Sequence, residues 1–404
     1  MPNSAMNVGT AVTGSAGGTQ ASASNGRQQA PAAVVPFVRA SHEYYAAPFY
    51  TVSQLLGAGS VDLGSIDIPA YGYLRSLLVK VSATGAVAGT LSDDAPFSLL
   101  QNIYVNEPNG ATIYQATSGF NTYLENKYGG YRYAGDPTAD PYFSKDTAGN
   151  FTFYLRIPLE INNRDALGAL PNQNAAASYK LRMSLASTAE GNTNLYTSAP
   201  TTAPTVTVNV YAESWDQPEV STNGQSNQTT PPAMNTTQFW SEQVFAITAG
   251  QQTLRQSRVG NYFRNLIYIL RDADGARIGT EAGFPNPATL FWDTRPFFQA
   301  DAQLWQRYMF ERTGYGYAAG ATAGTTPLVP SAAPTANRLD AGVYVFDMTH
   351  EFTGKLGFEN RDLWVPTLSS TRWEVQGNFP TGTPAPASWM VLTNDVSTAG
   401  NVFL

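Results

Sequence analysis

The sequence of 404 residues contains no cysteine and only two histidines, His42 and His350. Without cysteine the chain has no disulfide, no thiolate metal site and no cysteine nucleophile. His350 is followed by Glu351, but adjacent residues of a strand point to opposite faces of a sheet, so we do not expect this pair to act together. We interpret both histidines as surface or interface residues.

Charged residues are scarce too, at 13% of the chain, against roughly 25% in typical soluble domains. The net charge is −7, and lysine and arginine are scattered without a run. Binding to phosphates requires clustered cations, because each neutralised phosphate adds to the affinity. Direct binding to nucleic acid is therefore not expected.

Long hydrophobic runs are missing as well. No segment approaches the roughly 18 apolar residues of a membrane span. The first 30 residues lack the charged and apolar regions of a secretory signal. We therefore expect a soluble protein that is synthesised inside a cell.

Aromatic residues, by contrast, make up 12% of the chain, and there are 35 glycines and 26 prolines. This composition favours many short strands joined by turns, with much of their surface against other protein. The length exceeds the roughly 250–300 residues at which a single core stops growing, so two domains are expected. We predict an arm and docking segment over 1–59, a first unit over 60–216, a linker over 217–238 and a second unit over 239–404.

The predicted arm has two parts. Residues 1–33 are mostly small or polar, and such a segment cannot bury enough apolar surface to offset the entropy lost on ordering. Residues 34–50 are rich in phenylalanine and tyrosine. We expect the first part to be flexible and the second to dock onto a folded surface.

Apolar runs bounded by turn residues predict strands in both units. In the first unit they cover 64–68, 73–81, 99–105, 111–115, 151–161, 179–185 and 206–211. In the second they cover 265–270, 342–349, 372–376 and 388–393. Two helices are predicted, one over 118–128 with Ser118 as its cap and Gly129 as its stop, and one over 300–313 before Gly314.

Two motifs occur once in each half of the chain. Segment 103–113 reads as a hairpin with Asn109-Gly110 in its turn, and segment 267–278 reads as a second hairpin with Asp274-Gly275. Downstream, Asn-Arg-Asp stands at 163–165 and again at 360–362. We interpret this tripeptide as a structural corner whose Arg and Asp pair locally or across an interface.

The order of these elements is not the βαβ alternation of a parallel sheet. Short strands with long loops at matching places instead favour Greek-key sandwiches. We predict an all-β fold with a few short helices, built as two tandem eight-stranded jelly rolls. The long loops 131–150 and 315–337 are interpreted as assembly loops, because loops of this length are usually functional or disordered.

No arrangement of residues indicates catalysis or ligand binding. Asp272-Ala273-Asp274-Gly275 lacks the third Asp or Asn and the flanking helices of a calcium loop and favours a β-turn. Asp93 and Asp94 are adjacent in a loop, whereas glycosidases need two carboxylates that face each other across a cleft. No nucleophile elbow or phosphate loop occurs. We predict no enzyme activity, no catalytic residue, no cofactor and no metal site.

Several segments are similar, in the same order, to segments of a known family. In the first half these are residues 72–81 (GYLRSLLVKV), 99–117 and 118–120. In the second half they are residues 261–265 (NYFRN) and 340–345 (DAGVYV). The chain thereby resembles the double jelly-roll major capsid proteins of tectivirus-like, membrane-containing DNA bacteriophages, over most of its length.

The resemblance implies a structural protein of the virion capsid that is synthesised in the host cytoplasm. Three copies would form a pseudo-hexagonal capsomer of six jelly rolls, and capsomers would tile an icosahedral shell around an internal membrane and DNA. The implied partners are two further copies in a homotrimer, neighbouring capsomers, and penton, minor capsid or membrane proteins. The termini would face inward, which brings the arm near the membrane, although its Gly/Ser-rich composition departs from the more helical, Gln/Ala-rich segment of the family.

The residues leave a second hypothesis open, an extracellular protein of two β-sandwiches that binds or cleaves glycans. Tandem sandwiches, surface aromatic residues and few charges are typical of such proteins. This hypothesis requires a cleft lined by tryptophan or tyrosine near paired carboxylates.

Overall fold

The computed structural model describes residues 33–130, 136–222, 224–232, 234–314, 339–349, 361–382 and 384–398. Several sequence predictions concern residues outside these ranges. They are the flexible arm up to residue 32, His350 with Glu351, Asn360, the loop 315–337 and the start of the loop 131–150.

The first half of the described chain holds strands β1 to β16 and two helices. The strands are β1 (Val34–Val35), β2 (Glu43–Tyr45), β3 (Tyr50–Leu55), β4 (Val61–Asp67), β5 (Tyr73–Thr84), β6 (Thr90–Leu91), β7 (Leu100–Asn106), β8 (Thr112–Ser118), β9 (Ser144–Lys145), β10 (Phe151–Pro158), β11 (Leu170–Pro171), β12 (Lys180–Leu185), β13 (Tyr196–Ser198), β14 (Thr205–Trp215), β15 (Ser221–Thr222) and β16 (Gln225–Asn227). The helices are α1 (Phe37–Ala40) and α2 (Gly119–Tyr128).

The second half holds nine further strands and a third helix. The strands are β17 (Thr236–Ala246), β18 (Gly250–Arg255), β19 (Tyr262–Arg271), β20 (Ala288–Trp292), β21 (Arg295–Ala300), β22 (Val343–Asp347), β23 (Val365–Pro366), β24 (Trp373–Phe379) and β25 (Ser388–Thr398). The helix is α3 (Ala302–Thr313).

Eight strands of the first half form a sandwich of two sheets. One sheet has the order β3–β14–β5–β10 and the other has the order β8–β7–β12–β4, with antiparallel neighbours. Alternate residues of β5, such as Leu77, Val79 and Val81, are buried and belong to the apolar core. We call this sandwich the first roll. The edge of its first sheet is extended by β2, which pairs with the end of β14.

The second half repeats this strand order. Its sheets run β17–β25–β19–β22 and β18–β24–β20–β21, again with antiparallel neighbours. We call this sandwich the second roll. In both halves the helix follows the strand at the equivalent edge of the roll's second sheet, α2 after β8 and α3 after β21. The predicted all-β fold of two tandem jelly rolls is confirmed.

The two rolls also share a residue register along their central strands, β5 and β19. β11 pairs with β5 at Tyr73, and β23 pairs with β19 at Tyr262. Two residues later each strand carries a β-bulge at which the register of the ladder shifts past one arginine, Arg75 in β5 and Arg264 in β19. The repeated core segment is therefore Tyr-x-Arg at 73–75 and 262–264.

This register shows that the sequence prediction of two equivalent hairpins was wrong. Segment 103–113 is the hairpin β7–β8, but segment 267–278 is the end of β19 and a turn closed by one bridge between Arg271 and Arg277. The counterpart of β7–β8 is the hairpin β20–β21. Both predicted turns do form, with Gly110 and Gly275 at positive φ. The two segments are therefore similar in sequence because both contain such a turn, and not because they occupy equivalent positions in the fold.

The Asn-Arg-Asp motifs do lie at equivalent places, between β10 and β11 and between β22 and β23. In the first copy the side chain of Asp165 accepts a hydrogen bond from the backbone of Leu167, at a corner where Ala166 has positive φ. The two copies meet, because Arg361 Nη2 lies 2.5 Å from Asp165 Oδ2. The tripeptide is thus a corner whose Arg and Asp pair between the two halves.

The docking segment lies against the first roll. Phe37 of α1 is fully buried in edge-to-face contact with Tyr73 and Trp215. β1 pairs with β16, and β3 belongs to the first sheet of the first roll. The division into an arm over 1–59 and a linker over 217–238 remains a prediction, and both stretches contain strands.

Candidate assembly interface

Helix α2 lies between the two rolls. The helix begins because the Ser118 hydroxyl accepts a hydrogen bond from the Phe120 amide at 3.2 Å, and it ends at Gly129. The predicted helix, cap and stop are confirmed. All ten of its residues are buried, including polar and charged ones. A helix that is buried all round must have protein on every side.

One side of α2 covers the first roll. Asn126 donates from Nδ2 to the Arg156 carbonyl at 2.6 Å and accepts from the Arg156 amide at 2.8 Å. These bonds occupy the outer edge of β10. In the second roll Gln306 and Trp305 of α3 donate to the carbonyls of Val343 and Val345, both at 2.9 Å, and occupy the edge of β22. Each roll therefore protects the same edge with its own helix.

The opposite side of α2 contacts the second roll. At the C-terminal end of the helix the carbonyls of Tyr128 and Gly129 accept hydrogen bonds from Asn265 Nδ2 and Arg264 Nη2, both at 2.9 Å. Carbonyls at a helix end lack partners within the helix. The bulge of β19 therefore supplies the donors that α2 needs.

Lys127 of α2 is held between two carboxylates, one from each half. Its Nζ lies 2.9 Å from Asp136 and 2.7 Å from Asp340, and Asp340 also accepts from the Tyr128 hydroxyl at 3.0 Å. Burial by itself lowers the pKa of Lys127, but Asp340 and Asp136 outweigh it, so the pKa is raised. Burial likewise opposes ionisation of Asp136, but Lys127 lowers its pKa. The three groups form a buried charged bridge between the halves.

A second charged cluster joins the halves at the N-terminal end of α2. Asp94 of the first roll lies 2.7 Å from Arg271 Nη2 and 2.7 Å from Arg277 Nε of the second roll. Both guanidinium groups lie over the ring of Phe120, with Arg277 at 4.6 Å from the centroid. Asp94 is 2% exposed, so this ion pair is shielded from water.

Two glutamates lie along the middle of the interface, the buried Glu125 and the half-buried Glu242. Glu242 of β17 accepts hydrogen bonds from the Thr117 amide at 3.0 Å and from Asn121 Nδ2 at 2.6 Å. Glu125 of α2 accepts from the Tyr114 hydroxyl at 2.5 Å. Burial raises the pKa of Glu242 and raises that of Glu125 well above the ordinary value. The protonated form of Glu125 is therefore favoured.

The rolls are also joined through their strands. β17 runs parallel to β8, with Trp240 opposite Tyr114. The first sheet of the second roll and the second sheet of the first roll thus form one continuous sheet. Trp240 and Tyr114 are buried, and apolar residues of both rolls form one core cluster.

The structure describes several residues that the sequence analysis considered as candidate site residues. Asp272 accepts backbone hydrogen bonds from Asp274 and Ala276, as in an Asx-type turn. Asp94 belongs to the charged cluster between the rolls, and His42 is exposed. Among the described residues no group of three or more His, Cys, Asp or Glu is arranged for a metal ion. No helix in the same ranges is long and apolar enough to cross a membrane.

A cleft of about 450 Å³ lies on the second roll. Its lining is largely polar and consists of Ser241, Glu242, Gln243, Ser257, Arg258, Val259, Asn261 and Thr393. None of these residues is aromatic, and stacking on sugar rings needs aromatic faces. This cleft therefore gives no support to the glycan-binding hypothesis.

The interface residues Arg264, Arg271, Arg277 and Glu242 were not singled out from the sequence. One signal was available, since Arg264 and Arg271 lie near the two ends of an otherwise apolar strand. Charged residues in such positions are rarely buried without a partner. The partners, however, come from the other half of the chain and are not visible in the local pattern.

Solved structures with the same arrangement include two from viruses. The crystal structure of the STIV MCP has a TM-score of 0.54 and 12% identity, covering 89% of this chain and 97% of that chain. The quasi-atomic model of the PBCV-1 virus capsid has a TM-score of 0.55 and 11% identity, covering 88% and 93%. This chain has the double jelly-roll fold. At these identities the likeness shows the fold alone.

No protein-family model matches the sequence of this chain. No curated protein matches it either.

Removing the buried carboxylate of Asp94 tests the contribution of the second charged cluster to folding. We expect Asp94→Ala to lower the free energy of unfolding by about 3–5 kcal/mol, because Arg271 and Arg277 lose their buried counter-ion. Asp67→Ala is the matched control, since its pair with Lys180 at 3.8 Å is exposed, and it should cost less than about 1 kcal/mol. Urea denaturation measures both variants, and an Asp94→Ala variant as stable as the control contradicts the account.

The buried Glu125 predicts a specific pH dependence of stability. Its pKa is higher in the folded than in the unfolded protein, so the folded state binds more protons and loses stability as pH rises from the unfolded value through the folded one. Glu125→Gln cannot ionise and should flatten this loss, which urea denaturation measures at pH values above the ordinary pKa of a glutamate. The exposed Glu219→Gln should behave as wild type. Equal pH slopes for Glu125→Gln and wild type would show that Glu125 does not titrate as described.

Proposed function

We propose that this chain is a structural major capsid protein. Three copies form a pseudo-hexagonal capsomer, and the capsomers tile an icosahedral phage shell around an internal membrane and DNA. The observation that carries the proposal is the duplicated roll, in which one strand order occurs twice and the two copies are joined by a buried interface. The solved neighbours of this fold are described as viral capsid proteins.

The duplication suits a hexagonal tile. Three copies of a chain with two similar rolls present six similar faces, and a threefold ring is built from one repeated head-to-tail contact. Two rolls joined by charged and apolar contacts across α2 keep a fixed relative orientation, which a tile requires. The chain needs no catalytic residue for this role.

The positions of the chain ends support an inward-facing base. Phe37 packs against Tyr73 at the start of β5, close behind the arm. At the start of β19, the equivalent place in the second roll, Tyr262 lies opposite Val396, two residues before the end of β25. The described residues nearest the two chain ends thus lie at the same end of the rolls. We assign this end to the shell interior, where the arm meets the membrane or neighbouring capsomers, with penton, minor capsid and membrane proteins as further partners.

Mass measurement and electron microscopy of the purified protein test the proposal. The expected mass under non-denaturing conditions is about 130 kDa, three times the 43.4 kDa of one chain. Negative-stain images should show hexagonal capsomers or icosahedral particles. A stable monomer at every concentration, with no larger assembly, would refute the proposal.

A further inference from the structure

We infer that β21 and α3 of one chain dock onto the outer face of the first sheet of the first roll in a second copy. This contact repeats between chains the one that β8 and α2 make with the second roll within a chain. The inference rests on the proposed capsomer and deepens it, because it names the surfaces that hold the copies together.

The receiving sheets of the two rolls differ in burial. Every residue of β19 after Tyr262 is buried, and so is every residue of β22. The outer face of β19 is covered by α2, which touches it near both ends, at Asn265 and Arg271. The second roll therefore has a covered outer face.

Within the described ranges, the equivalent face of the first roll is less covered, apart from the start of β5, where Phe37 of α1 packs against Tyr73. Residues alternate between buried and half-buried along β5 from Leu77 to Ala83 and along β10 from Phe151 to Arg156. The shared register equates the buried Ile267 and Ile269 with Leu78 and Lys80, which are half-buried. Among the described helices, none takes the place on this face that α2 takes on its counterpart.

Helices α2 and α3 also differ in burial. All of α2 is buried, whereas α3 buries Trp305, Gln306 and Met309 against its own roll. Its opposite side carries an exposed stripe of Gln303, Leu304, Arg307 and Glu311. Leu304 is 52% exposed, and Phe297 of the preceding β21 is 43% exposed. This side of α3 and the strand before it thus expose two large apolar side chains, whereas all of α2 is buried.

The corresponding edges of the two first sheets, at β2–β3 and at β17, differ in exposure as well. Tyr45 of β2 and Trp240 of β17 occupy equivalent positions in the two rolls. Tyr45 lies opposite Glu213 of β14, and Trp240 lies opposite Asn394 of β25. Trp240 is 2% exposed and lies against β8, whereas Tyr45 is 61% exposed. Within the described ranges, β2 and β3 pair only with β14, and β21 pairs only with β20. Unpaired edges of this kind are ready to pair with another chain.

A second copy of the chain is the partner that satisfies both surfaces together. The β8 edge of the first roll and the β17 edge of the second are joined within the chain, which leaves the β2–β3 edge and the β21–α3 edge for contact with other copies. These two surfaces are different, so the contact is head-to-tail and closes into a ring when the rotation allows it.

Leu304→Asp tests the docking helix. The side chain is exposed in one chain, so the variant should fold with unchanged circular dichroism. In the oligomer the new carboxylate is buried without a partner, which should weaken each contact at least about a hundredfold. Leu368→Asp is the matched control, because Leu368 is 59% exposed and lies on neither surface. Analytical ultracentrifugation should find Leu304→Asp monomeric and Leu368→Asp trimeric.

Tyr45→Asp tests the receiving surface and should also be monomeric. Each variant keeps one intact surface, so an equimolar mixture should give one-to-one dimers that neither variant forms alone. Trimeric wild type with trimeric Leu304→Asp overturns the inference and leaves the proposed function standing. Monomeric wild type overturns both. Two monomeric variants whose mixture stays monomeric contradict the head-to-tail pairing of these surfaces.

Discussion

Helix α2 is the element on which the joining of the two rolls depends, because its ten buried residues include charged groups. A buried charge costs several kcal/mol unless a partner is held in place. Lys127 takes its partners from both halves, Asp136 and Asp340, and Asp94 is matched by Arg271 and Arg277 across the interface. The second roll therefore completes the electrostatics of the first. The two rolls thus share one buried, charged interface.

Features that depend on local chemistry could be predicted from the sequence. Helix α2 followed from the cap at Ser118 and the stop at Gly129, and the Asn-Arg-Asp corners followed from turn preferences. Strands β3 and β17 were not predicted, because polar and apolar residues mix along them and no long apolar run marks them. The hairpin at 267–278 was predicted and is absent, since the same Asp-Gly turn serves either a hairpin or a loop. Interface partners such as Asp94 and Arg277 depend on contacts that are distant in sequence.

The two rolls use the same duplicated backbone for different contacts. Tyr-x-Arg is repeated at the bulges of β5 and β19, but the side chains of Arg75 and Arg264 make different contacts. Arg264 caps α2, whereas Arg75 pairs with Glu160 at 2.8 Å and lies over Trp215 within the first roll. One backbone plan thus carries two surfaces, one occupied within the chain and one that we propose for a second copy.

A cryo-electron microscopy map of the purified oligomer tests the central claim most directly. The account predicts a ring of six rolls from three chains, with α3 of each chain lying over β5 and β10 of the next and Leu304 buried beneath it. The contact between chains should superpose on the contact that α2 makes within a chain. A ring in which α3 faces solvent, or a twofold dimer joined through identical surfaces, would contradict the account.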